Sequence, residues 1–373
     1  MGKISLILLA AGGSTRFRLP VKKQWLRIGE QPLWEYVADR FAQSYEFETV
    51  VIAAAPEEAA HIASISDYTV VAGGSTREAS LKNALAQVQS EFVLVSDVAR
   101  ACVPASLIAR VIEQAGRADC VVPALKVVDT VTGPQGLVDR DGLRRIQTPQ
   151  LSRTAVLKAA LEKSTGFTDE STLIAAQGGS VSYVEGDERA AKLTFGHEMA
   201  WLECLKPASS QMLTGTGFDV HAFEEGRPMM LGGVAIPVNY GFKAHSDGDV
   251  ALHALTDAIL GAAGLGDIGG MFPDSDPAFK NADSSRLLER ALARIYALGF
   301  EVRSADVTIM AQQPRLENHK AAMRRRVADL LGVRRERVNI KATTTEKLGF
   351  VGRSEGVAVL ATATLGYFDW RCL

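Results

Sequence analysis

The stretch Ile4–Ala10 (ISLILLA) is almost wholly apolar and runs straight into Gly12-Gly13-Ser14-Thr15-Arg16. A short run without polar alternation has to be buried on both faces, as strands of a parallel sheet are when helices cover them. Similar runs recur at 49–55, 68–72, 92–96 and 120–123, with helix-like stretches at 33–44 and 78–89 between them. That alternation predicts an α/β domain. Residues 127–149 break it: Val-Asp-Thr-Val-Thr, a Gly-Pro turn and Val-Asp-Arg-Asp-Gly read as an extended ribbon projecting from the sheet. Farther on, Thr168 or Asp169 is positioned to cap a helix.

At 373 residues the chain is long enough for two domains of about 150–200 residues each. The Lys-Pro-Ala-Ser-Ser-Gln segment beginning at Lys206 is the best linker, placing the domains at 1–209 and 210–373. The second half reads as α+β: a strand carrying Asp219 and His221, helices at 249–263 and 284–298, a strand at 303–312, a helix at 321–331, and strands at 338–343 and 356–365. With 47% hydrophobic residues, 23% charged and a net charge of −2, the composition is that of an ordinary globular protein. Neither half carries the basic excess that nucleic-acid binding needs. The Arg324-Arg325-Arg326 cluster reads as a solvated face. No run is long enough to span a membrane and Ile4–Ala10 lacks a signal's length and cleavage site, so the expectation is a cytoplasmic protein. Cys102, Cys120, Cys204 and Cys372 are scattered, which suits reduced thiols and argues against a thiolate metal site.

Half of the six histidines lie between residues 221 and 253. Asp219-Val220-His221 on a strand puts both side chains on one face, and His253 comes from the following helix. Three ligands with an open fourth position suit a catalytic zinc; the alternative is three unrelated histidines that cap and pack. Asp249, His253 and Asp257 are spaced i, i+4, i+8 on one helix face, so a neighbouring carboxylate is expected to orient His253. After the strand at 338–343, Thr343-Thr344-Thr345-Glu346 offers hydroxyls and a carboxylate for a nucleotide and a hard cation, or is simply a β-prone run.

In the first half, the glycine turn ending in Arg16 follows a strand, where backbone N–H groups and a guanidinium can meet phosphate oxygens. It is neither a Walker loop nor the dinucleotide fingerprint. Lys22-Lys23-Gln24 lies close downstream, Gly73-Gly74-Ser75-Thr76-Arg77 is a second glycine turn, and Asp97 closes an apolar strand where such sheets bind ligands. A helix cap is the plainer role for Asp97.

Taken together, Leu9-Ala10-Ala11-Gly12 with Arg16, Lys23-Gln24, Gly73-Gly74 with Arg77, Ser96-Asp97 with Arg100, Asp129-Thr130, Val138-Asp139-Arg140, Thr148-Pro149-Gln150, Thr168-Asp169-Glu170 and Ala191-Lys192 with Thr194 resemble 2-C-methyl-D-erythritol 4-phosphate cytidylyltransferase. The resemblance covers residues 3–205 and implies a Rossmann-like nucleotidyltransferase domain with a projecting β-arm. It implies Arg16 and Lys23 on the CTP α-phosphate, and Arg140 of a neighbouring subunit with Lys192 on methylerythritol phosphate. Gly12, Gly74, Ser75 and Ser80 would lie along the nucleotide, with Asp97 near the ribose and a Mg²⁺ or Mn²⁺. Cations without a general base suit phosphoryl-type transfer, which is mostly positioning and charge neutralisation. Three segments depart from the family pattern: Lys22 replaces a proline, Ser96 through Ala101 replaces His-Asp-Ala-Ala-Arg-Pro, and Ser14 stands at a loop glycine, which bears on the loop's path.

Phe218 to Phe223, Ala244 to Asp249, Leu265-Gly266-Asp267-Ile268-Gly269, Phe272-Pro273-Asp274 and Thr343 to Phe350 resemble 2-C-methyl-D-erythritol 2,4-cyclodiphosphate synthase over residues 213–366. This implies zinc on Asp219, His221 and His253, and Mg²⁺ or Mn²⁺ on the substrate diphosphate near Glu346. His245 and Thr344 would stabilise the transition state and Ser246 would contact phosphate. Asp267 and Gly269 would hold the ribose, with Phe272, Asp274, Thr343, Thr345, Phe350 and Arg353 completing the site, in part across a subunit boundary. The combined expectation is a bifunctional enzyme of the non-mevalonate isoprenoid pathway, acting on CTP, methylerythritol phosphate and its CDP derivative. It implies a homo-oligomer with dimer contacts in the first half and trimer contacts in the second, up to a hexamer. Two other readings are a sugar-phosphate nucleotidylyltransferase fused to a zinc phosphohydrolase, and a non-catalytic scaffold with a structural zinc. The first lacks an evident base for water; the second wants a fourth protein ligand.

Overall fold

All seven residues of Ile4–Ala10 are buried in strand β1, at the middle of a mixed sheet. The computed structural model describes residues 2–163, 166–202, 205–273, 275–279 and 281–372. Two units emerge: Met1–Pro207 together with Trp370–Leu373, and Ala208–Asp369. Among the described residues no helix is long and apolar enough to cross a membrane.

In the first unit the chain continues through a small hairpin, β2 (Arg27–Ile28) and β3 (Gln31–Pro32), then α1 (Leu33–Ser44), β4 (Val50–Ala54), α2 (Pro56–Ser64), β5 (Thr69–Ala72), α3 (Arg77–Leu85), β6 (Phe92–Asp97), α4 (Ala105–Ile112) and β7 (Cys120–Lys126). Next come β8 (Val131–Gly133), β9 (Gly136–Val138) and β10 (Arg144–Ile146), then β11 (Gln150–Arg153), α5 (Thr154–Lys163), α6 (Glu170–Ala176) and β12 (Val181–Glu185). The sheet order is β10-β7-β11-β6-β1-β4-β5, with β12 also on β7. Strands β6, β1, β4 and β5 run parallel. From β1 the chain builds outward through β4 and β5, then returns to place β6 on the other side of β1. That reversal opens a crevice at the carboxyl ends of β1 and β6, the place where open α/β sheets bind ligands. The β8–β9 hairpin and the segment leading into it expose Leu137 and Val128, 76% and 72% accessible, on the expected arm.

The second unit opens with β13 (Leu213–Glu225), then β14 (Met229–Leu231), β15 (Val234–Ile236), β16 (Tyr240–Phe242), α7 (Val250–Ala262), the one-turn α8 (Ile268–Met271) and α9 (Ser284–Ala297). It ends with β17 (Phe300–Met310), α10 (Lys320–Leu331), β18 (Val338–Thr343), the one-turn α11 (Gly349–Gly352) and β19 (Gly356–Tyr367). The sheet order is β16-β13-β19-β17-β18. Helix α7 lies directly on β13 because Gly215 and Gly217 have no side chain. A Cβ on Gly217 would stand 2.0 Å from the Ala254 carbonyl oxygen. The opposite sheet face leaves Phe218, Val220 and Leu360 exposed.

Candidate active sites

In the first unit, the crevice between β1 and β6 collects positive charge. Lys23 opens a turn of 3-10 helix just after the glycine loop, and its Nζ donates to the Leu193 carbonyl at 3.1 Å. Burial lowers the affinity of this amine for its proton, and the charges of Lys192 and Arg16 push the same way. Lys192 donates to Asp97 Oδ2 at 2.7 Å, and the Arg77 Nε stands 3.5 Å from Asp97 Oδ1. Burial works to raise the Asp97 carboxyl, but Arg77 and Lys192 outweigh it and hold the group below the usual carboxylate range. Arg77 in turn forks onto Glu170, at 2.6 and 3.4 Å, and Glu170 is buried at the start of α6. The chain of charges Lys192–Asp97–Arg77–Glu170 thus crosses the floor of the crevice. Neither Arg77 nor Glu170 belonged to the expected substrate-binding set; their quoted motifs were the only signal.

The second glycine turn follows β5. The Gly74 N–H donates to Ser80 Oγ at 3.0 Å, and a Cβ at Gly74 would stand 2.4 Å from that of Ala79, so only glycine fits the turn. Ser75 is exposed beside it. The family departures acquire physical roles. Ser14 adopts φ 54° in place of the glycine, and its hydroxyl accepts from the Lys23 N–H at 3.0 Å, which fastens the loop to the cation's own turn. Lys22 pairs with Glu57 at 2.8 Å and with the buried Glu58 at 2.6 Å. Gln24 donates to Glu58 and, from the same nitrogen, to the Gly12 carbonyl, both at 3.2 Å. Arg140 is placed apart from this cluster: it lies on the exposed arm and donates to the Val128 carbonyl at 2.7 Å.

In the second unit, Asp219 and His221 share a face of β13 and His253 reaches them from α7. Asp219 Oδ2 lies 3.3 Å from His221 Nε2 and 3.3 Å from His253 Nδ1. One ligand atom from each of the three lies within 4.8 Å of the others. Burial opposes a charged His253, but its contact with Asp219 and the nearby acidic groups outweigh that and raise its proton affinity. A cavity of about 320 Å³ opens beside the trio, lined among others by His245, Ser246, Gly269, Phe272 and Phe279. Phe272 packs edge-on against Phe279, with ring centroids 5.2 Å apart. Asp267 caps α8, accepting from the Gly270 N–H at 2.7 Å. Asp274 lies outside the described residues.

The expected orienting carboxylates on His253's own helix do something else. Asp249 is the α7 cap and is fully buried, accepting from the N–H groups of Gly232, Gly233, Ala251 and Leu252. Asp257 accepts from the Ile268 N–H at 2.7 Å. A helix-face pattern brings residues to one side but does not decide their partners, and free backbone N–H groups claimed both carboxylates first. At its Nε2, His253 instead meets Ser284, the first residue of α9, backed by Asp247, with Ser246 at a longer distance.

Thr343, Thr344, Thr345, Glu346, Phe350 and Arg353 lie at and beyond the end of β18, exposed except for the half-buried Thr345, and do not line the cavity of this same chain. Thr344 donates to Glu346 Oε1 at 2.9 Å, and Arg353 forks onto Glu355 at 2.8 and 3.0 Å. Glu346 and Lys347 both take left-handed backbone, φ 51° and 65°. Such positions cost on the order of 1–3 kcal/mol each and concentrate at ligand-binding turns.

The two halves match different known families. Residues 4–205 match the family described as 2-C-methyl-D-erythritol 4-phosphate cytidylyltransferase, and residues 212–366 match the YgbB family. The bifunctional enzyme IspD/IspF of Sulfurimonas denitrificans is 51% identical over 367 residues, spanning 98% of this chain and 95% of that protein. The protein of the same name from a Sulfurovum species is 52% identical over 371 residues, spanning 100% of each. A solved structure of bifunctional IspDF from Campylobacter jejuni superimposes with a TM-score of 0.94 at 49% identity, over 99% of this chain and 100% of that one. With both crevices and both halves accounted for along nearly its whole length, the chain belongs to the bifunctional IspD/IspF family, enzymes of the methylerythritol phosphate pathway that combine a cytidylyltransferase with a cyclodiphosphate synthase.

Proposed function

We propose that Arg16, Lys23 and Lys192 are the charge-neutralising set on which CTP and methylerythritol 4-phosphate react, and that Asp219, His221 and His253 hold a zinc ion for the cyclisation. The first half rests on the convergence of three cations at one crevice, where burial lowers the proton affinity of Lys23 and the charges of Lys192 and Arg16 lower it further. In this reaction an oxygen of methylerythritol 4-phosphate attacks the α-phosphorus of CTP and diphosphate leaves. Arg16 and Lys23 meet the negative charge that accumulates on the α-phosphate oxygens, while Lys192 exchanges Asp97 for the incoming phosphate. Gly12, Gly74, Ser75 and Ser80 lie along the nucleotide. Asp97 stands ready for the ribose and a Mg²⁺ or Mn²⁺ ion, and Arg140 reaches the methylerythritol phosphate of a neighbouring subunit from its arm.

The second half rests on the two 3.3 Å separations around Asp219 Oδ2. Two ligands about 2.0–2.1 Å from one tetrahedral ion stand about 3.3–3.4 Å apart, so the trio has the spacing of a zinc donor set. His221 supports this: its Nδ1 lies 2.9 Å from the Gly248 carbonyl, which can only accept, so Nδ1 carries the proton and Nε2 turns a lone pair toward Asp219. A zinc ion there supplies Lewis acidity to a phosphate oxygen. The chain's own groups orient the substrate so that its 2-phosphate oxygen attacks the β-phosphorus and CMP leaves. Ser246 contacts phosphate, His245 and Thr344 stabilise the transition state, and Asp267, Gly269 and Phe272 seat the ribose end. Thr343, Thr345, Glu346, Phe350 and Arg353 serve the nucleotide and a second hard cation. Because they lie outside this chain's own cavity, the reading has them act on a neighbouring subunit. The exposed Phe218, Val220 and Leu360 face of the sheet supports a trimer there, the exposed arm supports dimer contacts in the first unit, and a cytoplasmic hexamer follows from combining them.

Lys23→Ala is expected to lower CTP-dependent diphosphate release by about 10²–10³-fold, the usual effect of removing one group aimed at transition-state charge; an unchanged rate would remove Lys23 from the site. His253→Ala is expected to abolish CMP release and to lower bound zinc. Normal zinc content in that variant would rule out the ligand assignment.

A further inference from the structure

Ser284 sits 31 residues beyond His253, on another helix, and nothing in the spacing of the second half marks it. It is buried, 1% accessible. Its hydroxyl lies 2.8 Å from His253 Nε2 and 2.5 Å from Asp247 Oδ1. The Asp247 carboxylate also accepts from the backbone N–H groups of Ser284 and Asp249, at 3.3 and 3.2 Å. Those three contacts leave the carboxylate acting as acceptor throughout.

A hydroxyl has one hydrogen to give. That hydrogen goes to Asp247, so the oxygen turns a lone pair toward His253. The short contact to Nε2 is then favourable only if Nε2 carries a proton. A neutral imidazole has one N–H, which leaves Nδ1 bare and facing Asp219 Oδ2 at 3.3 Å. Ser246 Oγ is 3.2 Å from the same Nε2 and already accepts from the Gly248 N–H at 3.1 Å, so it fits as a second, longer acceptor. His221 is locked in the opposite sense by the Gly248 carbonyl, so the two rings present different nitrogens to one point.

We infer that Ser284, with Asp247 behind it, is a positioning residue that holds His253 in its Nε2–H tautomer so that Nδ1 is the metal ligand. The inference rests on the zinc reading above. Ser284 is buried and is not one of the three candidate ligands; it acts through His253. Groups of this kind usually change metal affinity by about 10–100-fold when removed. The tautomer in free imidazole is divided between the two nitrogens, and the Asp247–Ser284 pair removes the unproductive form before any ion arrives.

The test uses the full chain stripped of metal by a chelator. Zn²⁺ affinity is measured by competition with a chromophoric chelator for the wild type, Ser284→Ala, Ser284→Thr and His253→Ala. The imidazole nitrogens of the metal-free wild type are assigned by long-range ¹H–¹⁵N correlation at a pH high enough for the His253 ring to be neutral, since Asp219 raises its proton affinity. Ser284→Ala is expected to bind Zn²⁺ about 10–100-fold more weakly, with threonine, which keeps the hydroxyl, recovering most of the loss. The wild-type spectrum is expected to show a protonated Nε2 on His253. Zn²⁺ binding by Ser284→Ala equal to wild type, or a protonated Nδ1 in the wild-type spectrum, overturns the inference and leaves the zinc reading standing. A wild type without specific Zn²⁺ binding, or one matched by His253→Ala, overturns the zinc reading itself. Should Ser284→Ala fail to fold, the wild-type spectrum still decides.

Discussion

Lys23 carries the clearest pH signature of the first unit. Burial first, and then Lys192 and Arg16, hold its proton affinity below the ordinary lysine value of 10.5. The pH dependence of kcat/KM for CTP reports the free enzyme, so its alkaline limb should fall at a pH below that value. Lys23→Arg, which keeps the charge throughout, should move the limb upward; a limb that arginine leaves in place belongs to another group. The same shift bears on folding. A lysine whose folded value lies below its unfolded one weighs against the fold at pH values below both, and the penalty is relieved as pH rises through the folded value toward the unfolded one. At this scale the sequence was readable where chemistry constrains residue type: three cations, and an Asp-x-His with a later histidine. It was silent where partners are chosen in three dimensions. Nothing in Asp283-Ser284-Ser285 distinguishes an ordinary helix start from the group that holds His253, and the i, i+4, i+8 pattern pointed to Asp249 and Asp257 instead.

Among the elements, the placement of α7 on β13 decides whether Asp219, His221 and His253 meet at all. Gly217→Ala forces a methyl against the Ala254 carbonyl, 2.0 Å away. The helix has to lift, at a cost of about 1–3 kcal/mol typical of overpacking, and His253 moves with it. A lowered denaturation midpoint together with weaker Zn²⁺ binding is the expected result; a variant unchanged in both would show that the close approach is not needed. Elements with strong periodicity were legible beforehand: 33–44 is helical as expected, Asp169 rather than Thr168 caps α6, and β1 is buried throughout. Strand β11 was not, because Gln150-Leu151-Ser152-Arg153 has neither an apolar run nor alternation. Its place between β6 and β7 buries the polar side chains of Gln150 and Ser152, and Gln150 accepts from the Ser171 N–H at 2.9 Å. Such a strand is made by its neighbours rather than by its own residues. The turn at Glu346 and Lys347 was equally hidden, since left-handed backbone at charged residues has no local signature.

At the level of the whole molecule, the domain split expected at 209/210 leaves out one feature: the first unit also contains Trp370–Leu373. Trp370 is 3% accessible and its indole N–H donates to the Arg27 carbonyl at 2.7 Å, while Arg371 donates to the Leu205 carbonyl. Trp370→Ala should therefore destabilise the first unit by about 3–5 kcal/mol, as tryptophan truncations in cores do. The effect should be read in the thermal midpoint of cytidylyltransferase activity; loss confined to cyclodiphosphate synthesis would contradict the placement. The arrangement also sets a timetable for biogenesis. When Pro207 has just been added to the growing chain, the whole of Ala208–Asp369 is still to be made, roughly 10–30 s of synthesis at about 5–20 residues per second. During that interval the nascent first unit presents an unfilled tryptophan socket beside Arg27. Its last core residue arrives only after the second enzyme has been translated.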